Sequence, residues 1–261
     1  MLNIDYKTKK TEYKVHYHNQ HEILLITEGK CEMLVNGKPY IAKKGDAVLI
    51  CNLENHSTRV LQEPYSRYVL TIDPAIFQTK INDLRLVAMF KHRGKNFSHC
   101  LPTENTDVQY LFRRLYEEKQ HRDSFTDELS VSLLKTLLID IFRANSRCFE
   151  TSLDKTAEMV LNIEGYIDAH FAEEIKMEEV AKLFFLNKYY FSHIFKDVTG
   201  LSPKQYLTTV RLNHAINLLT RSDFSVSEIC AECGFSDINN FIRLFKTKFG
   251  KTPGEYRKSG L

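Results

Sequence analysis

Apolar positions near the carboxy terminus recur at a fixed offset. Phe191, Phe195, Lys196, Gly200, Pro203 and Tyr206 are matched fifty residues later by Phe241, Phe245, Lys246, Gly250, Pro253 and Tyr256. Each falls where a helix needs an apolar anchor, a stop or a restart, so the pattern predicts two copies of one helical unit. In the first copy Val180, Ala181 and Leu183 predict a short helix, and Asn187 caps a second with the inner stripe Tyr190, Phe191, Ile194 and Phe195. In the second, Ser225 and Glu228 make a capping box, Gly234 supplies the turn and Asp237 caps the helix carrying Phe241, Leu244 and Phe245. Upstream of the turns the offset is forty-nine (Val180 with Ile229), so the second turn is one residue longer. Between the copies a helical pattern runs unbroken from Ser202 to about Arg221.

The first hundred residues have another rhythm. Runs rich in Ile, Val and Leu, at Glu22 to Thr27, Cys31 to Val35 and Ala47 to Cys51, alternate with Glu28-Gly29, Asn36-Gly37 and Lys44-Gly45-Asp46. Asn-Gly between strand-like runs predicts a hairpin, and evenly spaced short strands predict an antiparallel barrel or jelly roll. From Thr106 to about Arg147 the pattern predicts two helices. The second carries Leu133, Leu134, Leu137, Leu138 and Ile141, more apolar surface than one helix on a small barrel is expected to bury, which predicts a dimer seam beside the barrel, with packing inside the one chain as the alternative. Asn145 to Thr156 is polar and reads as a linker.

The outward faces of the repeated units suggest what they touch. Lys188, Tyr189, Ser192, His193 and Lys196 lie off the first apolar stripe, and Ile238, Asn239, Ile242, Arg243 and Lys246 off the second. Such a mixture suits a DNA major groove, where Asn pairs with adenine, Arg with guanine and apolar groups with thymine methyls. A twenty-residue connecting helix spans roughly 30 Å, near the ~34 Å turn of B-DNA, so two recognition helices can enter successive grooves. Lys196, Arg221, Lys246, Lys248 and Arg257 are expected to meet phosphates.

Arg211-Leu212-x-x-Ala215-x-x-Leu218-Leu219, Ser227-Glu228-Ile229-Cys230, Gly234-Phe235-Ser236-Asp237, Phe241-x-x-x-Phe245-Lys246 and Gly250-x-x-Pro253-x-x-Tyr256-Arg257 resemble the AraC/XylS family of bacterial transcription regulators. Against that family pattern, Lys176 stands where Ser, Thr or Asn is usual, Phe185 where the first turn often has Gly, and Cys230 where Ala is usual. A bulky residue at a turn requiring positive φ costs about a kcal/mol or more, which predicts a distorted first turn. At the front, His16-x-His18-x3-Glu22-x6-Gly29, then Gly45-Asp46 and His56, resemble the two cupin motifs. In metal-dependent cupins those positions are ligands, and three imidazoles with one carboxylate suit Zn, Fe, Mn or Ni. In the sensor domains of the resembled family the same pattern commonly holds no metal and contacts a small effector. The expected effector contacts are His16, His18, Glu22, His56, Arg59 and Tyr68, with Tyr65 and Arg67 on the same strands.

These readings predict an α+β multidomain chain. Residues 1–102 form a cupin-like effector barrel, 103–150 a helical dimerisation region and linker, and 151–261 an all-α domain of two helix-turn-helix units joined by a long helix. The resemblance implies double-stranded DNA, a small-molecule effector such as a sugar, RNA polymerase and a second copy of the chain as partners, without catalysis or cofactor. The alternative is a metal-dependent cupin enzyme, or a metal-responsive regulator, using His16, His18, Glu22 and His56. Charge adds little: 36 basic and 33 acidic residues overall, but 11 Lys and Arg against 6 Asp and Glu from Asn187 to Leu261. No secretory leader or membrane-length apolar run is evident, which predicts a cytoplasmic protein. Cys230-x-x-Cys233 falls inside a repeated helix and reads as packing rather than zinc or redox chemistry.

Overall fold

Two long strands organise the amino-terminal half. Strand β1 (Leu2–Lys7) pairs with β5 (His56–Ile72), which pairs along its whole length with β2 (His21–Val35). The latter also pairs with β3 (Lys38–Lys43) and β4 (Asp46–Ile50), and β6 (Cys100–Pro102) closes the far edge beside β4, every pairing antiparallel. Asn36 and Gly37 make the expected two-residue hairpin, both with positive φ (48° and 80°). Glu28-Gly29, by contrast, is not a turn between strands. It is an irregularity inside β2, where the register against β5 shifts between Ile26 and Cys31. Gly29 has φ 75°, and a Cβ there would run into the carbonyl oxygens of Gln62 and Pro64. The computed structural model describes residues 2–8, 20–93, 96–150 and 152–258, apart from the side chains of Gln78 and Arg221.

Strand alternation gives this sheet two buried faces. Ile23, Leu25, Ala47, Leu49, Leu70 and Ile72 meet a helical layer of α1 (Pro74–Thr79), α2 (Leu84–Lys91), α3 (Val108–Gln120) and α4 (Thr126–Ala144). The opposite face encloses Leu24, Ile26, Cys31, Met33, Val48, Ile50 and Val69. Helices α3 and α4 were legible in the sequence, whereas α1 and α2 were not. The dimer seam expected on α4 needs correction: Leu134, Leu137, Leu138 and Ile141 are fully buried within this one chain, packed with Val108, Leu111, Phe112 and Leu115 of α3 and with the sheet. Burying each such side chain contributes about 1.5–3 kcal/mol, so the stripe belongs to the core. Of the five stripe residues only Leu133 remains partly exposed.

The chain divides into two compact units between Asp154 and Lys155. The second unit is all helix: α5 (Lys155–His170), α6 (Met177–Leu183), α7 (Lys188–Thr199), α8 (Pro203–Arg221), α9 (Val226–Glu232), α10 (Ile238–Phe249) and α11 (Pro253–Lys258). Helix α5, which the sequence pattern did not reveal, packs against α7 and α8, and Tyr206 donates to Asp168 at 3.0 Å across that contact. Pro203 opens α8 behind a complete capping box of Ser202 and Gln205, and α9 has the expected box of Ser225 and Glu228. Gly200 and Gly250 end α7 and α10 in the left-handed region, at φ 77° and 75°. Among the described residues no helix is long and apolar enough to cross a membrane.

Candidate nucleic-acid interface and barrel interior

The two helix-turn-helix units are built alike. Asn187 caps α7 by accepting from the Tyr190 amide, and Asp237 caps α10 by accepting from Asn239 and Asn240. Phe191 and Phe195 in one unit, Phe241 and Phe245 in the other, are fully buried and fix the roll of each helix about its axis. Lys188, Tyr189, Ser192, His193 and Lys196 of α7 are thereby left exposed, as are Ile238, Asn239, Arg243 and Lys246 of α10; Ile242 is half-buried. Two residues assigned to inner positions, Leu183 and Tyr190, are instead about half exposed. Helix α6 has seven residues and buries only Val180 and Ala181.

The turns carry the offset the sequence implied, four residues between α6 and α7 and five between α9 and α10. Phe185 has φ 57° and Gly234 φ 75°, with matching hydrogen bonds: Phe185 to Lys182 and Leu186 to Ala181, Gly234 to Ala231 and Phe235 to Cys230. The first turn is therefore not remodelled around its phenylalanine. It keeps the glycine conformation, at about 1–3 kcal/mol of local strain. Lys176, as its type implies, gives α6 no side-chain cap.

Several polar groups on these faces already have partners. Lys188 Nζ lies 2.6 Å from Glu178, His193 Nδ1 2.8 Å from Asp197, and Arg243 donates to Asn240 at 2.8 Å. All are exposed pairs, worth ~0–1 kcal/mol, that a phosphate or base edge can displace. Two expected phosphate contacts are structural instead. Arg257 donates to the carbonyls of Leu219 and Phe224, and the Lys248 amine is drawn inward, where burial lowers its pKa to about 8. Arg221 ends α8, but its side chain lies outside the described residues.

In the amino-terminal unit, Glu22 and His56 meet inside the rolled sheet at 3.2 Å, both deeply buried. Burial opposes the charged imidazole, but the hydrogen bond and charge of Glu22 outweigh it and hold the His56 pKa above its usual value. On the same buried face of the sheet Thr58 donates to the Met33 sulfur, and Arg67, fully buried, lies 5.0 Å over the Tyr65 ring. Arg59 and Tyr68 do not join this group. Arg59 pairs with Glu32 at 3.1 Å on the outer face, and Tyr68 packs in tilted ring contacts with Tyr6, Phe112 and Tyr116 on the helical side. His16 and His18 lie outside the described residues. Among those described, no three His, Cys, Asp or Glu side chains converge as a metal site requires, and Glu22 and His56 are engaged with each other.

The comparisons decide the family. The helix-turn-helix domain model matches residues 180–259, and that of the AraC-like ligand binding domain matches residues 4–138. The chain belongs to the AraC family of transcription regulators. It is 30% identical over 259 residues to the HTH-type transcriptional activator RhaS of Klebsiella pneumoniae (strain 342), covering 98% of this chain and 91% of that protein. Against RhaS of Escherichia coli O1:K1 / APEC it is 26% identical over 257 residues, with the same coverage. Its fold resembles that of ToxT from Vibrio cholerae, with a TM-score of 0.60, 16% identity and coverage of 99% and 97% of the two chains. As an AraC-family protein the chain is a DNA-binding regulator with a ligand-binding domain, not an enzyme, and the catalytic alternative falls.

One feature of this AraC-family barrel escaped sequence reasoning. Glu54 takes a bidentate contact from Arg93 (2.9 and 3.1 Å), accepts the Cys51 amide, and lies 3.7 Å from His99. His99 bonds the Leu49 carbonyl at 2.7 Å, and burial first, then the charge of Arg93, keep its pKa below the usual value despite Glu54. Nothing in the spacing announces it, since Glu54 precedes β5, which begins at His56, and its partners Arg93 and His99 come from segments some forty residues further on.

Proposed function

We propose that this chain is a transcription activator that reads duplex DNA with α7 and α10 in successive major grooves. The observation that carries this is the repeat itself: two helices of equal length, each N-capped by a side chain and ended by a left-handed glycine, each with an unburied polar face, joined by the 19-residue α8, which spans about 28 Å. The contacts assigned are Lys188, Tyr189, Ser192, His193 and Lys196 in one groove and Ile238, Asn239, Ile242, Arg243 and Lys246 in the next, with Arg221 on a phosphate. A small polar metabolite of the sugar class occupies the barrel interior beside Glu22 and His56, with His16 and His18 assigned as further contacts from the sequence pattern. It biases a cytoplasmic homodimer toward the DNA arrangement that recruits RNA polymerase. Both cited relatives are named transcriptional activators, which supports the sign of regulation. Binding-site selection with the full chain, with and without a panel of sugars and other small metabolites, tests it. A selected site of two elements about one helical turn apart supports the reading, and selection of no sequence at all overturns it.

A further inference from the structure

Phe185 has no use within its own unit. Its ring is 98% exposed, and its backbone is held at φ 57°, a region that disfavours side chains with a Cβ. The equivalent Gly234 is dictated by its surroundings, since a Cβ there would sit 2.7 Å from the Ala172 carbonyl oxygen and 3.0 Å from Arg211. The first turn faces no such wall, and it carries a large aromatic instead. Strain and an exposed apolar ring are both unfavourable in the free protein, so what offsets them lies in a partner.

We infer that Phe185 is a DNA contact, laid against the deoxyribose and thymine-methyl surface at the wall of the first major groove. This rests on the reading that α7 enters that groove. In a helix-turn-helix the first helix crosses the backbone while the N-terminal residues of the second reach base edges, so the turn between them runs along the groove wall. Phe185 sits two residues before the Asn187 cap and four before Tyr189, itself 86% exposed, and Leu183 is half exposed just ahead. The apolar surface is thus continuous with the recognition face, flanked by Lys182 and Lys188. Apolar groups read thymine methyls in the major groove, and the second unit's glycine has no such contact, so the aromatic belongs to the first half-site alone.

The test is operator affinity of the full chain against salt for Phe185→Asn, Phe185→Gly and Phe185→Tyr, using the selected duplex. Asn and Gly tolerate the left-handed backbone and relieve its strain, so both variants should stay folded and melt at or above the parent temperature. Each should bind about three- to tenfold more weakly, with the slope of affinity against salt unchanged because no phosphate contact is lost. Phe185→Tyr should bind like the parent. Asn and Gly variants that fold and bind as tightly as the parent would overturn the inference and place the ring against a protein. His193→Ala and Arg243→Ala run beside them: if these change base preference while the Phe185 variants do nothing, the aromatic contact alone fails. If none alters binding, the groove assignment fails with it.

Discussion

Glu22 and His56 lie thirteen residues apart along one ladder and still touch. Glu22 is paired with Thr71 at one end of the β2–β5 ribbon and His56 with Val35 at the other. At about 3.4 Å per residue, a flat ribbon would separate them by roughly 40 Å. Their 3.2 Å contact is what a ribbon rolled back on itself requires, and it joins the ends of the barrel. Removing one partner strands the other charge in a buried site, so Glu22→Ala is expected to lower stability by about 3–5 kcal/mol. Denaturant unfolding followed by a probe in the amino-terminal unit would measure it.

The same pair sets a pH dependence. His56 is raised above its unfolded pKa of about 6.5, so its folded form binds the proton more tightly. The contribution is fully present below that unfolded value and is lost as pH rises through the folded pKa. His99, with a lowered pKa, works in the opposite sense and costs stability as pH falls below its unfolded value. The stability difference between wild type and His56→Gln should therefore be largest at pH 6 and shrink toward pH 9. A difference that grows with pH would contradict the assignment of a charged His56.

Helix α4 makes a separable prediction. Because Leu137 and Leu138 have no exposed surface in a single chain, Leu→Ala at either should cost about 2–5 kcal/mol at every protein concentration. A dimer seam would instead give a loss that deepens on dilution. Replacing Leu134 and Ile141 with Lys should unfold the amino-terminal unit rather than yield folded monomers, which sedimentation and circular dichroism together distinguish.

The repeat was legible because helix anchors are local. Phe191, Gly200 and Pro203 carry their structural roles in residue type and spacing, and so do their counterparts fifty residues on. Asn36-Gly37 was legible for the same reason. The barrel interior was harder, because inside and outside depend on counting residues by twos. The inward set on β5 is His56 and Thr58 at its start but Tyr65, Arg67 and Val69 after the register shifts. That change of parity puts Arg59 and Tyr68 outside. Nothing in the sequence announces it, since a glycine such as Gly29 serves a turn or a bulge equally well. The α4 leucines misled for a related reason: an apolar stripe shows that something covers it, not whether the cover is the same chain.

Lys248 offers a check on the second helix-turn-helix unit. It lines a cleft of about 920 Å³ between α8 and α10 that also holds Lys204, Arg211 and Arg243, with no carboxylate among the lining side chains. A lysine lowered to about 8 by burial releases its proton more readily folded than unfolded. Between about pH 8 and the unfolded value near 10.4, the unfolded chain holds more protons, so stability rises with pH there. Lys248→Met should remove that rise and stabilise the unit at pH 7. Thermal melts from pH 7 to 10 would show both effects. A flat wild-type profile would mean that the amine stays hydrated.

Separate reading by the two units is the most demanding expectation. If α7 and α10 occupy successive grooves, His193→Ala or Tyr189→Ala should relax preference in one half of the operator only. Asn239→Ala or Arg243→Ala should relax the other half, each at about 1–3 kcal/mol for a lost base contact. Because α8 is an unbroken helix of 19 residues, the spacing between the halves is fixed by the protein. Five base pairs inserted between them should turn the second half to the opposite face of the duplex, reducing binding to that of one half-site, whereas ten pairs move it a full turn beyond reach with the same loss. Phe195→Ala and Phe245→Ala serve as controls, since each empties a buried site at about 3–5 kcal/mol and abolishes binding through unfolding rather than through specificity. Titrations on the paired operators would decide the matter. Uniform weakening by the four surface variants, without change of preference in either half, would make their side chains backbone clamps and leave the reading of sequence to other residues.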